Sequence, residues 1–388
     1  MLKKHQINRI LFILLLSFFW TACSEDFDLT TAYKDQTITY AFLEVHNSDK
    51  GGVDTNFVVI NKAFLGEKSV SEMAAVADSV NYKNYDDIKV SLQRIESEDP
   101  NARKIGDPIE LSYIKHFKDT GFFATDNNIV FYTTEPLMRY QNIAMDPSPD
   151  YNESYYYRLS ILKPGQDEVY ATTKMIRGIV EEIPLSLPKN QRKIQMVFAK
   201  NTATYNIKFL SNIDARIYDP RLRIYYYEKR TNGKIYLKYL DYHSSLLVSK
   251  NKEAIQPQKM EVKIPPAGFF AKFGNSLSNT ENVVWRAVRL SSHAFLMTIG
   301  SQETYVYKQV SAPSNGIVQE KPVYTNVTNG LGLFTSKWNY SKGGFGLTDI
   351  TIDSLSAGQY TKNLKFQNAK ETYLIDGKID KEAVIVED

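Results

Sequence analysis

Residues 222–242 read LRIYYYEKRTNGKIYLKYLDY. Two runs rich in aromatic and branched side chains flank Asn232-Gly233, the dipeptide whose tolerance of left-handed backbone suits a two-residue type I′ turn, so the stretch predicts a β-hairpin. With those two residues as the loop, Lys229 is expected opposite Tyr236, Glu228 opposite Leu237, Tyr227 opposite Lys238 and Tyr226 opposite Tyr239. One face then gathers Leu222, Ile224, Tyr226, Ile235, Leu237 and Tyr239 as core, and the other gathers Arg223, Tyr225, Tyr227, Lys229, Tyr236 and Lys238. Tyrosines interleaved with cations suit a sugar ring or a protein interface, so this second set is a candidate binding face.

Working outward, short alternating runs recur at 37–45, 56–64, 88–95, 109–117 and 128–133, separated by turn formers such as Asp99-Pro100 and Asp126-Asn127. Ser69 with Glu72 makes a capping box for one short helix, and Phe269, Phe270 and Phe273 sit at helical spacing in a second, 266–277. A third helix is expected from Ser301 to about Val310, and strands at 194–199, 205–210, 260–264, 283–289 and 294–299. The pair 155–162 and 169–176, joined by Pro164-Gly165, resembles the last strands of fibronectin type III or immunoglobulin-like modules, without the Cys and Trp of true immunoglobulin domains. The reading is a mainly β chain of tandem β-sandwich domains with a few short helices. Two prolines within Ile183-Pro184-Leu185-Ser186-Leu187-Pro188 place the boundary, giving domains 36–182 and 183–388. The glycine-dense 329–332 and 343–346 read as turns or close approaches, and Ile375-Asp376-Gly377-Lys378 as a hairpin or frayed tail.

The chain begins with Lys3, Lys4 and Arg9, then an apolar run from Ile10 to Trp20, then Thr21-Ala22 before Cys23. That order is a secretory signal over 1–22, and eleven helical residues rise only about 16 Å, too short for a roughly 30 Å hydrocarbon core. Small residues before the lone cysteine resemble the bacterial lipobox, although Trp20 replaces the usual Leu. The resemblance implies cleavage before Cys23 and acylation of that residue, the alternative being a free or buried cysteine in a secreted chain. Ser24, Glu25, Asp26 and Asp28 are similar to the export tag of Bacteroidota surface lipoproteins; the other reading of 23–35 is an acidic tether of a periplasm-facing lipoprotein.

Three of the 47 Lys and Arg precede Cys23, so 44 cations face 44 Asp and Glu in the expected mature chain, and the net charge of +3 disappears. No bulk field then favours nucleic acid. One cysteine excludes a disulfide framework. His46, His116, His243 and His293 have no metal-binding spacing, and no nucleophile elbow, phosphate loop or dinucleotide fingerprint occurs, so neither a metal, a cofactor nor an enzyme is expected. The loop 146–153 is oxygen-rich but fits no calcium template, and Asp86-Asp87 and Glu181-Glu182 are too close in sequence to share a strand face. Trp338 is a further binding candidate, with core or hinge packing as its other reading.

Asp78-Ser79-Val80 and Asp353-Ser354-Leu355 look like O-glycosylation triplets of exported Bacteroidota proteins. KAFLGE (62–67), DTGFFA (119–124), YRLSILKPG (157–165) and QEKPVYTNVTNGLGLFTS (319–336) resemble stretches of Bacteroidota outer-membrane lipoproteins of β-sandwich type. The resemblance implies a lipid-anchored body on the outer membrane and carries over no catalytic residue. The function expected is a non-enzymatic binding or accessory module, its partner a β-barrel outer-membrane transporter or a surface glycan or peptide. The alternative is an adhesive or structural envelope protein.

Overall fold

Alternating apolar residues build the first half as strands β1 (Thr37–Glu44), β2 (Asn56–Lys62), β3 (Lys89–Ile95), β4 (Ile109–Glu110), β5 (Ser112–His116), β6 (Asn128–Thr133), β7 (Tyr156–Leu162) and β8 (Val169–Lys174). Helices α1 (Val70–Ala74) and α2 (Ala77–Val80) connect β2 to β3. This computed structural model describes residues 36–44, 55–63, 70–99, 101–116, 128–135, 137, 156–176, 178–198, 201–212, 214–250, 257–311, 324–379, 381 and 383–386. The chain divides into two units, Met1–Asp35 and Gln36–Asp388, and every described residue belongs to the second. The expected signal at 1–22, Cys23, Ser24, Glu25, Asp26, Asp28, Ser69, His46 and the 146–153 loop lie outside the described residues.

Strands β1, β2, β6 and β5 run side by side in that order, and β8, β7, β3 and β4 make the facing sheet. Ala41, Leu43, Val58, Ile60, Ile129 and Phe131 from the first meet Val90, Leu92, Leu159, Ile161, Val169 and Ala171 from the second in one core. Two layers closed over period-two apolar faces make a β-sandwich.

The second half contains β9 (Val180–Glu181), β10 (Lys193–Ile194), β11 (Val197–Phe198), β12 (Asn201–Thr202), β13 (Tyr205–Leu210), β14 (Ile217–Arg230), β15 (Ile235–His243), β16 (Leu247–Val248) and β17 (Lys259–Ile264). It continues with α3 (Pro266–Ser276), β18 (Val283–Val288), β19 (His293–Gly300), α4 (Gln302–Ser311), β20 (Val327–Thr328), β21 (Gly330–Leu347), α5 (Asp349–Ala357), α6 (Ala369–Lys378) and β22 (Ile385–Val386). Leu222, Ile224, Phe295, Met297 and Ile299 pack against Ile207, Phe209, Val262 and Ile264 of the small sheet β17-β13-β9, with Phe269 and Phe273 of α3 and Ile352 and Leu355 of α5 closing the core. Pro266 fits the first turn of α3, where its missing N–H has no intrahelical partner to lose.

The chain passes from one core to the other at Met175, in the first, and Ile176, in the second, within the one unit Gln36–Asp388. The two cores are not sequential, however. Val327 and Phe334 return to the first core: β20 pairs with β8, and β21 runs parallel to β1 from Thr37↔Gly330 to Glu44↔Lys337 before pairing antiparallel with β19. One sheet therefore runs β22-β15-β14-β19-β21-β1-β2-β6-β5 through both cores.

Of the two readings of the glycines in 330–332 and 343–346, close approach is the one found, since they lie within β21: Gly332 has φ +119°, and a Cβ there would sit 1.8 Å from the Thr39 carbonyl oxygen, so the close approach to β1 demands glycine. Two expectations are corrected. Residues 375–378 form the last turn of α6, whose start is capped by Asn368 Oδ1 accepting from Glu371 N at 3.0 Å. The single strand expected at 194–199 splits into β10, which pairs with β21, and β11, which pairs with β12.

Candidate binding face

The hairpin β14–β15 forms, one residue out of the expected register. Lys229 pairs with Ile235, Glu228 with Tyr236, Tyr227 with Leu237, Tyr226 with Lys238 and Tyr225 with Tyr239. The loop closes on Gly233, at φ +79°, which donates to the Arg230 carbonyl at 3.0 Å, while Arg230 N donates to the Lys234 carbonyl at 3.0 Å. A slip of one residue turns every β15 side chain over. Tyr236, Lys238 and Leu240 now share the core side with Leu222, Ile224 and Tyr226, while Leu237 and Tyr239 point the other way with Arg223, Tyr225 and Tyr227.

Two charge pairs explain the choice. Glu228 is buried, and the observed register brings Lys238 Nζ to 3.7 Å of its carboxylate, beside Arg286 at 2.9 Å and Arg230 at 3.0 Å. Burial alone would raise the pKa of Glu228; hydrogen bonds from Arg286 and Arg230 and the charge of Lys238 outweigh it and hold the acid below its ordinary value. On the opposite side Arg223 meets Asp241 directly. The expected register would have turned Lys238 to the opposite side, with Tyr227, and left the Glu228 carboxylate to Arg286 and Arg230 alone.

The candidate set Arg223, Tyr225, Tyr227, Lys229, Tyr236 and Lys238 is therefore not one face. Tyr236 and Tyr227 are buried, Tyr227 against Asp376 and Arg289. Arg223 stacks on Tyr239 at 3.8 Å, and Tyr225 meets Tyr239 edge-on at 6.1 Å. Trp338 is half-buried on β21 and packs against the second core, its indole lying over Gly178. Ser79 lies in α2 and Ser354 in α5; Ser354 is half-buried, with its Oγ donating to the Ile350 carbonyl at 2.8 Å.

His293 is fully buried. Residues 289–292 bulge out between β18 and β19, so the Tyr225 N–H that a continuous strand would have engaged donates to His293 Nδ1 at 3.1 Å. Burial, then the charges of Arg289 and Lys193, push its pKa down to about 3, so the ring is a neutral acceptor serving the backbone. Among the described residues no three His, Cys, Asp or Glu side chains gather as metal ligands, and no helix is long and apolar enough to cross a membrane. A cleft of about 550 Å³ between α5 and α6 is lined by Asp349, Asp353, Asn368, Ala369, Lys370 and Tyr373, but Asp353 is already occupied by the Ala369 N–H at 2.8 Å and Asp349 by the Tyr373 hydroxyl at 2.9 Å.

A different surface gathers apolar groups in the open. On the outer side of the first sheet, Tyr40 of β1 lies beside Val59 of β2, Val59 beside Val130 of β6, and Val130 beside Ile114 of β5. The next row places Phe57 beside Tyr132, and Phe42 follows Tyr40 two residues along β1. Tyr40 is 38% exposed, Phe42 39%, Phe57 46% and Ile114 43%. On one flank Tyr40 adjoins Leu333 of β21, which is fully buried, and Tyr307 of α4 stands edge-on to Tyr40 at 6.3 Å. Helix α4 is fixed there through Ser301 and Thr304, both bonded to the Thr335 hydroxyl at 2.6 and 3.1 Å.

Reading the strands only for alternation passes over this face. Its signal is the continuous apolar runs Tyr40-Ala41-Phe42-Leu43, Phe57-Val58-Val59-Ile60 and Ile129-Val130-Phe131-Tyr132, the composition of strands covered on both sides. One side is the sandwich core. The other leaves Tyr40, Phe42, Phe57 and Ile114 exposed and Val59, Val130 and Tyr132 half-buried.

No family model matches the chain, and no curated protein matches it. Among solved structures, the chain aligns with "Crystal structure of calcium binding domain CBD12 of CALX1.1" at 11% identity over 70% of this chain and 85% of that one, with a TM-score of 0.15, a likeness too weak to carry an argument.

Proposed function

We propose that this chain is a lipid-anchored, non-catalytic binding module of the bacterial outer membrane, of the Bacteroidota lipoprotein type, and that its outer aromatic face docks onto an integral β-barrel protein such as a transporter. The observation that carries the reading is the exposed apolar surface of Tyr40, Phe42, Phe57 and Ile114 on strands whose two sides are both apolar. Covering each such half-exposed side chain is worth on the order of 1 kcal/mol, and the largest apolar patch on a protein surface is often where a partner binds.

The tether supports the choice of partner. Twelve residues, 24–35, separate the lipid-bearing Cys23 from the segment that enters β1, at most about 45 Å of extended chain. Strand β1 itself carries Tyr40 and Phe42. A membrane-embedded protein is thus within reach of the face, and the acidic Glu25, Asp26 and Asp28 fit display of the body at the cell surface.

The test uses the full-length lipoprotein in its own membrane. Cys23→Ala is expected to release the body from the membrane fraction. Phe42→Ser combined with Phe57→Ser is expected to abolish co-purification of an integral β-barrel protein while leaving the melting temperature within a few degrees. Undiminished co-purification by the double variant defeats the reading.

A further inference from the structure

From the open edge of the same sheet we infer that the partner adds an extended strand to β5. The inference rests on the aromatic face being the docking surface and names how that surface is used. Strand β5 pairs with β6 from Ser112↔Tyr132 to His116↔Asn128 and ends the strand order of the large sheet; among the described residues no strand lies on its other side. An edge of this kind presents a row of unpaired N–H and C=O groups. Edges that are meant to stay free are guarded by proline, a bulge or inward charges. Strand β5, Ser112-Tyr113-Ile114-Lys115-His116, has no proline and pairs with β6 without a register shift; its one guard is Lys115, opposite Ile129 on the core side, which admits only a strand that meets that charge with an acid.

The edge is also held in place before any partner arrives. Strand β4, just upstream, pairs with β3 in the facing sheet, and Leu111 N donates to the Val90 carbonyl at 2.9 Å, so 109–116 turns the corner between the two layers. Tyr113 packs at 5.7 Å from the Phe131 ring, and its hydroxyl donates to Asp86. A pre-ordered edge lowers the entropy lost on binding.

The side chains specify what kind of strand fits. The row Leu333, Tyr40, Val59, Val130, Ile114 stops at Ile114, which is 43% exposed. A strand added about 4.8 Å beyond β5 places alternate side chains beside Ile114 and extends the apolar row by one. The ligand is therefore an extended segment with apolar residues at every second position on the face side, its main chain supplying the hydrogen bonds and the alternate side chains the specificity. Exposed Lys115 favours an acidic residue on the opposite side of that segment.

The experiment places a photo-crosslinking phenylalanine analogue at Phe57 on the face, or at Lys115 on the edge, of the full-length lipoprotein in intact cells. Both positions are expected to capture the same integral membrane protein. Ile114→Pro and Lys115→Pro are then compared, because neighbouring N–H groups in an edge strand point alternately toward and away from β6, and the variant that keeps the wild-type melting temperature has lost only an outward donor. That variant is expected to lower capture from Phe57 at least tenfold. As a second measurement, amides of β5 in membranes are expected to exchange at least tenfold more slowly than in the purified soluble body. Capture from Phe57 alone, indifferent to proline and without added protection, overturns strand addition and leaves the face reading standing. Capture from neither position, or only of lipid or a second copy, overturns both.

Discussion

Arg223 and Asp241 face each other across β14 and β15, with the guanidinium forking onto the carboxylate through Nε···Oδ1 and Nη2···Oδ2 contacts of 2.8 Å each. In the register that Asn232-Gly233 suggests as a two-residue loop, Arg223 would have met Tyr242. The pair therefore reports the register, and with Glu228 and Lys238 on the other side it helps to set it. The two side chains are 21% and 14% exposed, so solvent screening is partial. A double-mutant cycle of Arg223→Ala and Asp241→Ala, read by urea unfolding, is expected to give a coupling energy of about 1–2 kcal/mol. A coupling near zero would remove the pair as a register determinant.

Gly178 lies beneath the Trp338 indole, where an added Cβ would fall 1.7 Å from a ring carbon. The indole packs against the second core, so it must shift within that packing to relieve the overlap. Gly178→Ala is expected to destabilise by roughly 3 kcal/mol or more in denaturant unfolding, and Trp338→Ala in the same chain to recover part of the loss.

His293 gives the fold an acid-sensitive point. Its folded pKa, about 3, lies below the ordinary value of 6.5, so the unfolded chain binds a proton that the folded chain refuses. The stabilisation is complete above pH 6.5 and is lost as pH falls toward 3, amounting to about 2 kcal/mol by pH 5. His293→Gln is expected to flatten the stability profile between pH 6.5 and 5, measured by urea unfolding at each pH. The stabilisation from Glu228, held below its ordinary value of 4.5, is also lost on acidification, but at lower pH.

Strands β1 and β2 offer an internal comparison between the two sides of one sheet. Phe57 is 46% exposed and its neighbour Val58 is fully buried. Phe57→Ser in the soluble body is expected to change stability by less than about 1 kcal/mol and to reduce binding of a hydrophobic dye. Val58→Ser is expected to cost about 2–4 kcal/mol. Equal costs would mean that the outer face is already covered in the isolated chain.

Period-two patterning along 222–230 and 235–242 is enough to indicate strands and a hairpin, because each strand carries its own alternation whatever it pairs with. The triple-phenylalanine helix after Pro265-Pro266 is legible for the same local reason. Register is not, because it is set by Arg223 meeting Asp241 and Lys238 reaching Glu228, and Glu228 is a buried carboxylate only once folding brings Arg286 to it from 58 residues away, which no local pattern encodes. Strand β21 is hidden in the sequence because glycines suit a turn and a close approach alike; here they are close approaches, to Thr39 at Gly332 and to the Lys189 side chain at Gly344. Nor does sequence distance reveal that residues 330–336 complete a sandwich begun at residue 37.

By itself the sequence determined a mainly β chain, with one cysteine placed after an apolar run and a balanced charge over residues 23–388. Only the tertiary structure decided which tyrosines are buried, that one sheet runs through both cores, and that the open apolar surface lies on β1, β2, β6 and β5 and not on the hairpin. The reason is physical: alternation says that a strand has two sides, while the neighbours it acquires on folding decide which side meets water.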